Sequence, residues 1–362
     1  VLSLIVSALL FAQMPEAMGQ TMELPGYDIP EPRVMLFRTG ERLPEFKISP
    51  KHKWPFEWVT AGLGRKNPQS PNFELRLRVF AQLKKEKNDP SLPVCRMAMR
   101  LWELNVSKLG LDHAYQYNNR IVDIYLCWGG PPGGEQLFDK DVENGIERKV
   151  NTIYIYDMPS LTKPLELARE VAHEYGHATL PAVGGFSAPE NWANGSLGER
   201  LYLTWIRNQM RLKRLQPEDA AGATLEEIDA WVKQRVDPLV DRAALDGPRL
   251  SLLAQDSEEA FYAYIGLALY AFQTLPADAF GDSLKLTGSS RAVDYPSAII
   301  AAVEKRAPFS FTVPPSVVGK PIWIPLGMCT IKGAKTLSKA KGWAKVVPSG
   351  SRIHYQAPKE SS

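Results

Sequence analysis

The sequence predicts an α+β fold: a mixed sheet backed by a helix, a long helix beneath the sheet edge, a helical lobe after it, and small β elements at both ends. Three observations carry this. Residues 72–80 alternate Phe73, Leu75, Leu77 and Val79 against Glu74, Arg76 and Arg78, the period-two pattern of a half-buried strand, and further β-rich runs follow. From about 164 to 305 the apolar residues recur at helical spacing. Beyond about 311 short strand-like runs return, separated by Gly and Pro. The chain of 362 residues, 44% hydrophobic and 23% charged, can bury a sizeable core, so disorder is not its default state. Its formal charge of +3 is too small to imply attraction of the whole chain to nucleic acid or a membrane.

Taken in order, residues 2–11 are an apolar run too short to span a bilayer, and Ala17 and Gly19 then give a small-x-small pattern. This predicts a signal peptide over 1–19 and a secreted, periplasmic or extracellular protein; no other segment is long and apolar enough to cross a membrane. Residues 20–70, rich in Pro and aromatics, are expected to form an irregular or short-stranded N-terminal lobe. A main domain over 71–310 follows. In it the strand at 72–80 is followed by a helix at 91–109 with Val94, Met97, Ala98, Leu101, Leu104 and Leu109 inward, then a strand at 121–128. A Gly/Pro loop at 129–134 and a polar stretch lead to a strand at 152–156, rich in β-branched and aromatic residues. Pro164 suits the first turn of a helix running to about Thr179. Further helices are expected at 196–214, 224–236 (with Thr224 and Glu227 as a capping box), 257–275 and 295–305. The short β runs at 323–326, 344–347 and 353–355 lie in a small basic module over 311–362. Three cysteines, Cys95, Cys127 and Cys329, are too few for a disulfide framework and read as buried thiols, with a Cys95–Cys127 bridge left open.

The segment that carries chemistry is Arg169-Glu170-Val171-Ala172-His173-Glu174-Tyr175-Gly176-His177-Ala178, an HExxH motif. Residues four apart on a helix project from one face, so His173 and His177 can bind one Zn²⁺. Glu174 lies beside them, where a general base can take a proton from zinc-bound water. The helix has one stripe at Leu165, Ala168, Ala172, Tyr175 and Thr179 and a second at Leu167, Val171 and Ala178, so it is packed on more than one side. Buried His and Glu there would be costly without a metal or other partners. Gly176 weakens the helix by about 1 kcal/mol relative to Ala, which close approach of a neighbouring strand would explain.

A catalytic zinc takes a third protein ligand and leaves its fourth place to water. Residues 178–187 contain no His, so the candidates are carboxylates, of which Glu190 and Glu199 are nearest. Ser187-Ala188-Pro189-Glu190 reads as a capping box, a sufficient role for Glu190. Glu199 instead shares the apolar face of its helix with Tyr202, Leu203, Ile206 and Met210, and is the expected third ligand, with a buried salt bridge as the alternative. An oxyanion stabiliser is sought on the downstream helix, where Tyr262, Tyr264 and Tyr270 are candidates and a core role is the alternative for each. Asp256, Glu258 and Glu259 could orient a ligand imidazole or satisfy a helix N-terminus.

Val171-Ala172-His173-Glu174-Tyr175-Gly176-His177 followed by Glu199 resembles the gluzincin metallopeptidases, the thermolysin and aminopeptidase N-like group, and more narrowly the peptidase MA-like superfamily. The resemblance covers residues 71–310. It implies a zincin-like mixed sheet with an active-site helix and a helical C-terminal lobe, a Zn²⁺ cofactor, and a peptide or protein substrate. Such proteins place the third ligand in Trp-x-x-Glu-Gly, whereas Trp192-Ala193-Asn194-Gly195 has no Glu and the carboxylate arrives later, in Gly198-Glu199-Arg200. The leading expectation is an exported zinc peptidase; the others are a degenerate zincin serving as an envelope-binding or structural module, and a zinc hydrolase of non-peptide amides. The C-terminal module, rich in lysine, offers either an anionic cell-envelope polymer a surface or simply a solvated basic face.

Overall fold

The computed structural model describes residues 21–23, 32–42, 57–66, 73–81, 90–111, 122–143, 146–287 and 290–357. Residues 1–19, expected to be a signal peptide, lie outside them. Seven strands, β1 (Thr21–Glu23), β2 (Pro32–Arg42), β3 (Glu57–Lys66), β4 (Phe73–Ala81), β5 (Val122–Leu126), β6 (Gly133–Glu143) and β7 (Ile146–Tyr156), form one mixed sheet in the order β1-β2-β3-β4-β5-β7-β6. The first four pair antiparallel, β4-β5 and β5-β7 are parallel, and β6 folds back antiparallel on β7. A parallel pair needs a crossover, and α1 (Ser91–Glu103), prolonged by a π-helical turn at Leu104–Leu109, lies between β4 and β5 in the chain. Period two sorts the strand residues. Leu77, Val79, Val122, Ile124, Ile153 and Ile155 belong to the main core with the helices, whereas Phe80, Tyr125, Cys127, Tyr154 and Tyr156 form a second cluster. In it Phe80 stacks on Tyr125 (4.7 Å) and Tyr125 on Tyr154 (5.1 Å).

Two expectations change here. Within 20–70, where an irregular or short-stranded lobe is expected, the described strands β1–β3 continue the same sheet. The prolines of this segment obscured this, although Pro32 is the first residue of β2, a place where a strand tolerates proline. The polar stretch after the Gly/Pro loop is the edge strand β6. An edge strand has little apolar alternation to show, and its polar side chains have partners: Tyr156 donates to Glu135 (2.5 Å) and Gln136 donates to Asn151 (2.7 Å).

The helices follow as α2 (Pro164–Thr179), α3 (Asn194–Arg211), α4 (Leu225–Arg235), α5 (Asp237–Asp246), α6 (Leu250–Leu253), α7 (Glu258–Thr274), α8 (Ala277–Lys285) and α9 (Tyr295–Arg306). The capping box at α4 is present: Glu227 N–H donates to Thr224 Oγ1 (3.3 Å) and Thr224 N–H to Glu227 Oε2 (2.9 Å). The short helices α5 and α8 gave no separate periodic signal. The C-terminal module comprises β8 (Phe309–Thr312), β9 (Ile322–Pro325), β10 (Thr330–Lys332), β11 (Ala334–Ala340), β12 (Trp343–Pro348) and β13 (Arg352–Gln356), in two sheets ordered β10-β13-β8 and β11-β12-β9. It docks on the helices: Tyr270 Oη donates to the Trp323 carbonyl (2.8 Å) and Met328 N–H to Glu304 (2.8 Å). All three cysteines are buried and free, so Cys95 and Cys127 are not bridged. Among the described residues no helix is long and apolar enough to cross a membrane.

Candidate metal centre

The motif helix α2 is fixed at both ends. Pro164 opens it, and the Glu166 carboxylate accepts from Lys163 N–H (3.2 Å). At its other end Asn151 of β7 donates to the Ala178 carbonyl (2.8 Å), and Thr179 Oγ1 meets Tyr202 Oη (3.0 Å) and the Asn105 amide (3.1 Å). Between these anchors α2 crosses α3 closely enough that a Cβ on Gly198 would lie 2.5 Å from Gly176 Cα. The close approach at Gly176 is therefore that of a helix and not of a strand.

On the remaining face of α2 the two imidazoles converge, with Nε2 of His173 and Nε2 of His177 3.2 Å apart. Glu190 joins them, its Oε2 3.5 Å from His173 Nε2 and 3.4 Å from His177 Nε2. Among the described residues this is the one group of three such side chains close enough to share an ion. Zinc with bonds of about 2.0–2.1 Å at tetrahedral angles separates its ligand atoms by about 3.3–3.4 Å, so the triangle has the size that zinc requires. Glu190 Oε2 is buried and has no hydrogen-bond partner, which fits an atom reserved for a cation. The three side chains keep 21%, 22% and 27% of their surface, so the group is partly open to solvent and leaves room for a further ligand.

The surrounding residues aim these ligands. Asn194, the first residue of α3, turns its amide N–H groups to the carbonyls of His177 (3.2 Å) and Leu180 (3.3 Å). Its Oδ1 must then accept from His177 Nδ1 (2.9 Å), which leaves the Nε2 lone pair facing Glu190. Ser196 donates to Glu190 Oε1 (2.6 Å) and so turns Oε2 to the imidazoles. A Cβ on Gly195 would meet the Nε2 atoms of both histidines, the one on His173 at 2.6 Å, so only glycine leaves this space free. Burial disfavours the carboxylate of Glu190, but the adjoining His177 and His173 imidazoles and the hydrogen bond from Ser196 outweigh it, and Glu190 is held below the usual carboxylate range. Burial likewise opposes the charged form of His177, yet its contacts with Glu190, Glu174 and Asn194 raise it overall; His173 is lowered, chiefly by burial.

Glu174 points past this triangle toward the sheet edge. A Cβ on Gly134 of β6 would lie 2.5 Å from Glu174 Cγ, so the strand passes directly against the carboxyl. Glu174 is 3% exposed, its Oε2 has no hydrogen-bond partner, and burial pushes its pKa up to about 8, with His177 pulling the other way. At that value the carboxyl keeps its proton near neutral pH, and a cation at the imidazoles would draw the pKa down and free the group to accept one.

The remaining expectations are placed differently. Glu199 does not join the imidazoles: Arg169 Nε holds its Oε1 at 2.6 Å and Arg200 holds its Oε2 at 3.2 Å. It is the buried salt bridge that the sequence left as the alternative. Glu190 is not a helix cap, because no helix begins at 187–190. Tyr264 is buried between Phe186 and Tyr295, and Tyr270 is spent on the Trp323 carbonyl. Tyr262 lies under the Arg200 guanidinium, 5.8 Å from its ring centre, and so is linked to the site through Arg200. Glu258 and Glu259 occupy the first turn of α7, where Ser257 caps the helix and Glu259 pairs with Arg249 (2.9 Å); orientation of an imidazole falls to Asn194 instead. The one signal that could have exposed Asn194 and Gly195 is a glycine in the first turn of an otherwise well-formed helix. Comparison of the chain with protein-family models, with curated proteins and with solved structures found no match.

Proposed function

We propose that the chain is an exported zinc-dependent peptidase of the gluzincin type, in which His173, His177 and Glu190 hold the metal and Glu174 is the general base. The observation that carries this reading is the triangle of ligand atoms, 3.2, 3.4 and 3.5 Å on its sides, beside a buried and unpartnered Glu174 carboxylate oxygen. When bound, zinc would supply an acidified water and polarise the carbonyl under attack. Glu174 would take the proton at Oε2 and return it to the leaving amine. An extended peptide suits the neighbouring strand: β6 is the sheet edge, its Gly134 lies against Glu174, and main-chain pairing there would bring a peptide carbonyl to the base. Asn194 and Ser196 keep the ligands aimed while substrate enters from the open side.

The test pairs metal analysis with hydrolysis of casein by wild type and Glu174→Gln. One zinc per chain in both, with at least a roughly 10²-fold loss of cleavage in the variant, is the expected result. Bound zinc without cleavage that depends on Glu174 would make the chain a scaffold, or a hydrolase of other amides, which a small-amide screen would reveal. The export part of the reading rests on the apolar run at 2–11 with Ala17 and Gly19, and N-terminal sequencing of the mature protein tests it.

A further inference from the structure

The metal face of α2 carries one more charge than the proposed chemistry uses. Glu170 stands three residues before His173, four before Glu174 and seven before His177, so helical spacing puts it on their face. It is half-buried, and among the described residues no donor or cation bonds its carboxylate. The two arginines nearby are engaged elsewhere: Arg169 Nε holds Glu199 Oε1 at 2.6 Å, and Arg200 holds Glu199 Oε2 at 3.2 Å and the Ser196 carbonyl at 2.9 Å. Burial raises the Glu170 pKa, and Glu199 and Glu190 add to this against the pull of Arg169, so its charge lacks a counter-ion. Other carboxylates gather beside it. Glu190 from the loop before α3 and Glu135 from β6 join Glu170 in raising the pKa of Glu174, which burial raises most. Glu174 is 3% exposed and its Oε2 has no partner, so the cleft is short of positive charge deep inside as well. A metal at the imidazoles would meet Glu190 and Glu174, and Tyr156 donates to Glu135 (2.5 Å). Glu170 is the carboxylate that neither answers.

We propose that Glu170 selects a lysine or arginine as the substrate residue that follows the cut bond. This rests on the peptidase reading and names the substrate class of the same site. The side of the bond follows from the proton. Glu174 returns it to the leaving amine, so the leaving residue stands on the Glu174 side of the metal, and Glu170 is one turn of helix from Glu174. A turn rises about 5.4 Å, which a lysine or arginine side chain can span. Its cation then meets a half-buried carboxylate, where water screens less than at an open surface. A leucine in that place would cover Glu170 without giving it a partner, and a glutamate would add one more like charge.

Alanine peptides blocked at both ends, with one central Lys, Arg, Leu or Glu, test this in the full chain with zinc supplied. Mass spectrometry locates the cut, initial rates give kcat/KM, and calorimetry on Glu174→Gln gives binding without turnover. Wild type should cut immediately before Lys or Arg, with kcat/KM at least about tenfold above Leu and Glu the poorest. Glu174→Gln should bind the peptides in the same order, and added salt should narrow the differences. Glu170→Gln should bring the Lys to Leu ratio to within about threefold of one, and Glu170→Asp should retain part of the preference. A ratio within one protein does not depend on how much of it is folded or holds zinc. Glu174-dependent cleavage without a basic residue after the cut, or a preference that Glu170→Gln keeps, would overturn this proposal and leave the peptidase reading standing. Absence of Glu174-dependent cleavage overturns the peptidase reading instead. Binding to Glu174→Gln then decides for Glu170 by itself, and Lys or Arg peptides held no tighter than Leu would overturn its role too.

Discussion

Glu190→Gln and Glu199→Gln separate the two carboxylates that could complete the zinc site. Glu190 supplies one of three protein atoms, and its Oε2 sits 3.4–3.5 Å from both imidazole nitrogens. Four-ligand zinc sites bind with about 10–16 kcal/mol, or about 2.5–4 kcal/mol per ligand, so an amide at 190 should weaken zinc about 10²–10³-fold. Its shape is kept and Ser196 still has an oxygen to donate to, so the fold should hold. At 199 the same change breaks contacts to Arg169, 40% exposed, and Arg200, 11% exposed. Breaking a buried pair costs about 3–5 kcal/mol, and water around Arg169 relieves part of it, so about 1–3 kcal/mol of stability should go. Zinc affinity at 199 should change no more than about threefold, because that carboxylate touches neither imidazole. Competition against a chromogenic chelator gives the affinities and urea unfolding the stabilities. Glu199→Gln losing zinc while Glu190→Gln retained it would refute the ligand assignment.

The other predictions concern the supports. Asn194→Ala should weaken zinc binding about 10–100-fold, read by the same competition, because His177 loses the acceptor that fixes its tautomer. Gly195→Ala should abolish zinc binding yet leave the chelator-treated protein within about 1 kcal/mol of wild type in urea, since alanine suits a helix and its methyl intrudes mainly on the imidazoles. Asp282, 3% exposed, is bonded by Arg306 (2.7 Å) and Lys305 (3.0 Å), and these cations hold its carboxyl far below the usual range. A depressed folded-state pKa stabilises fully above the unfolded value near 4 and is lost as pH falls through the folded value, so the deficit of Asp282→Asn, about 1–3 kcal/mol at neutral pH, should shrink below about pH 4 in thermal melts.

What the sequence made legible was whatever repeats along one element. The helix at 164–179, the capping box at Thr224 and Glu227, and the alternation at 72–80 are local patterns, and the structure has each of them. The pairing of HExxH was legible for the same reason, because a turn of helix brings His173 to His177 without help from the rest of the chain. What failed depended on partners distant in sequence. The edge strand β6 has solvent on one side and hence no apolar alternation, and α5 and α8 are too short to declare a period. Glu199 was rightly read as inward, but facing inward does not say toward what: Arg169, one turn before His173, meets it there.

The source of the third ligand follows from how tightly the two helices pack. With Gly176 of α2 against Gly198 of α3, the first turn of α3 stands so near the imidazoles that even a methyl at 195 would touch both Nε2 atoms. A longer side chain at Gly195 would fill the space between the imidazoles that the proposed ion would take. A ligand must therefore enter from the side, and the loop before α3 is the segment that passes there. Glu190 reaches across from it, and Ser196, in the first turn of α3, donates to the oxygen that does not face the histidines. The glycine and Glu190 therefore belong together in the proposed metal site: the closely packed start of α3 leaves the space between the imidazoles open, and the loop beside it brings a carboxylate to them.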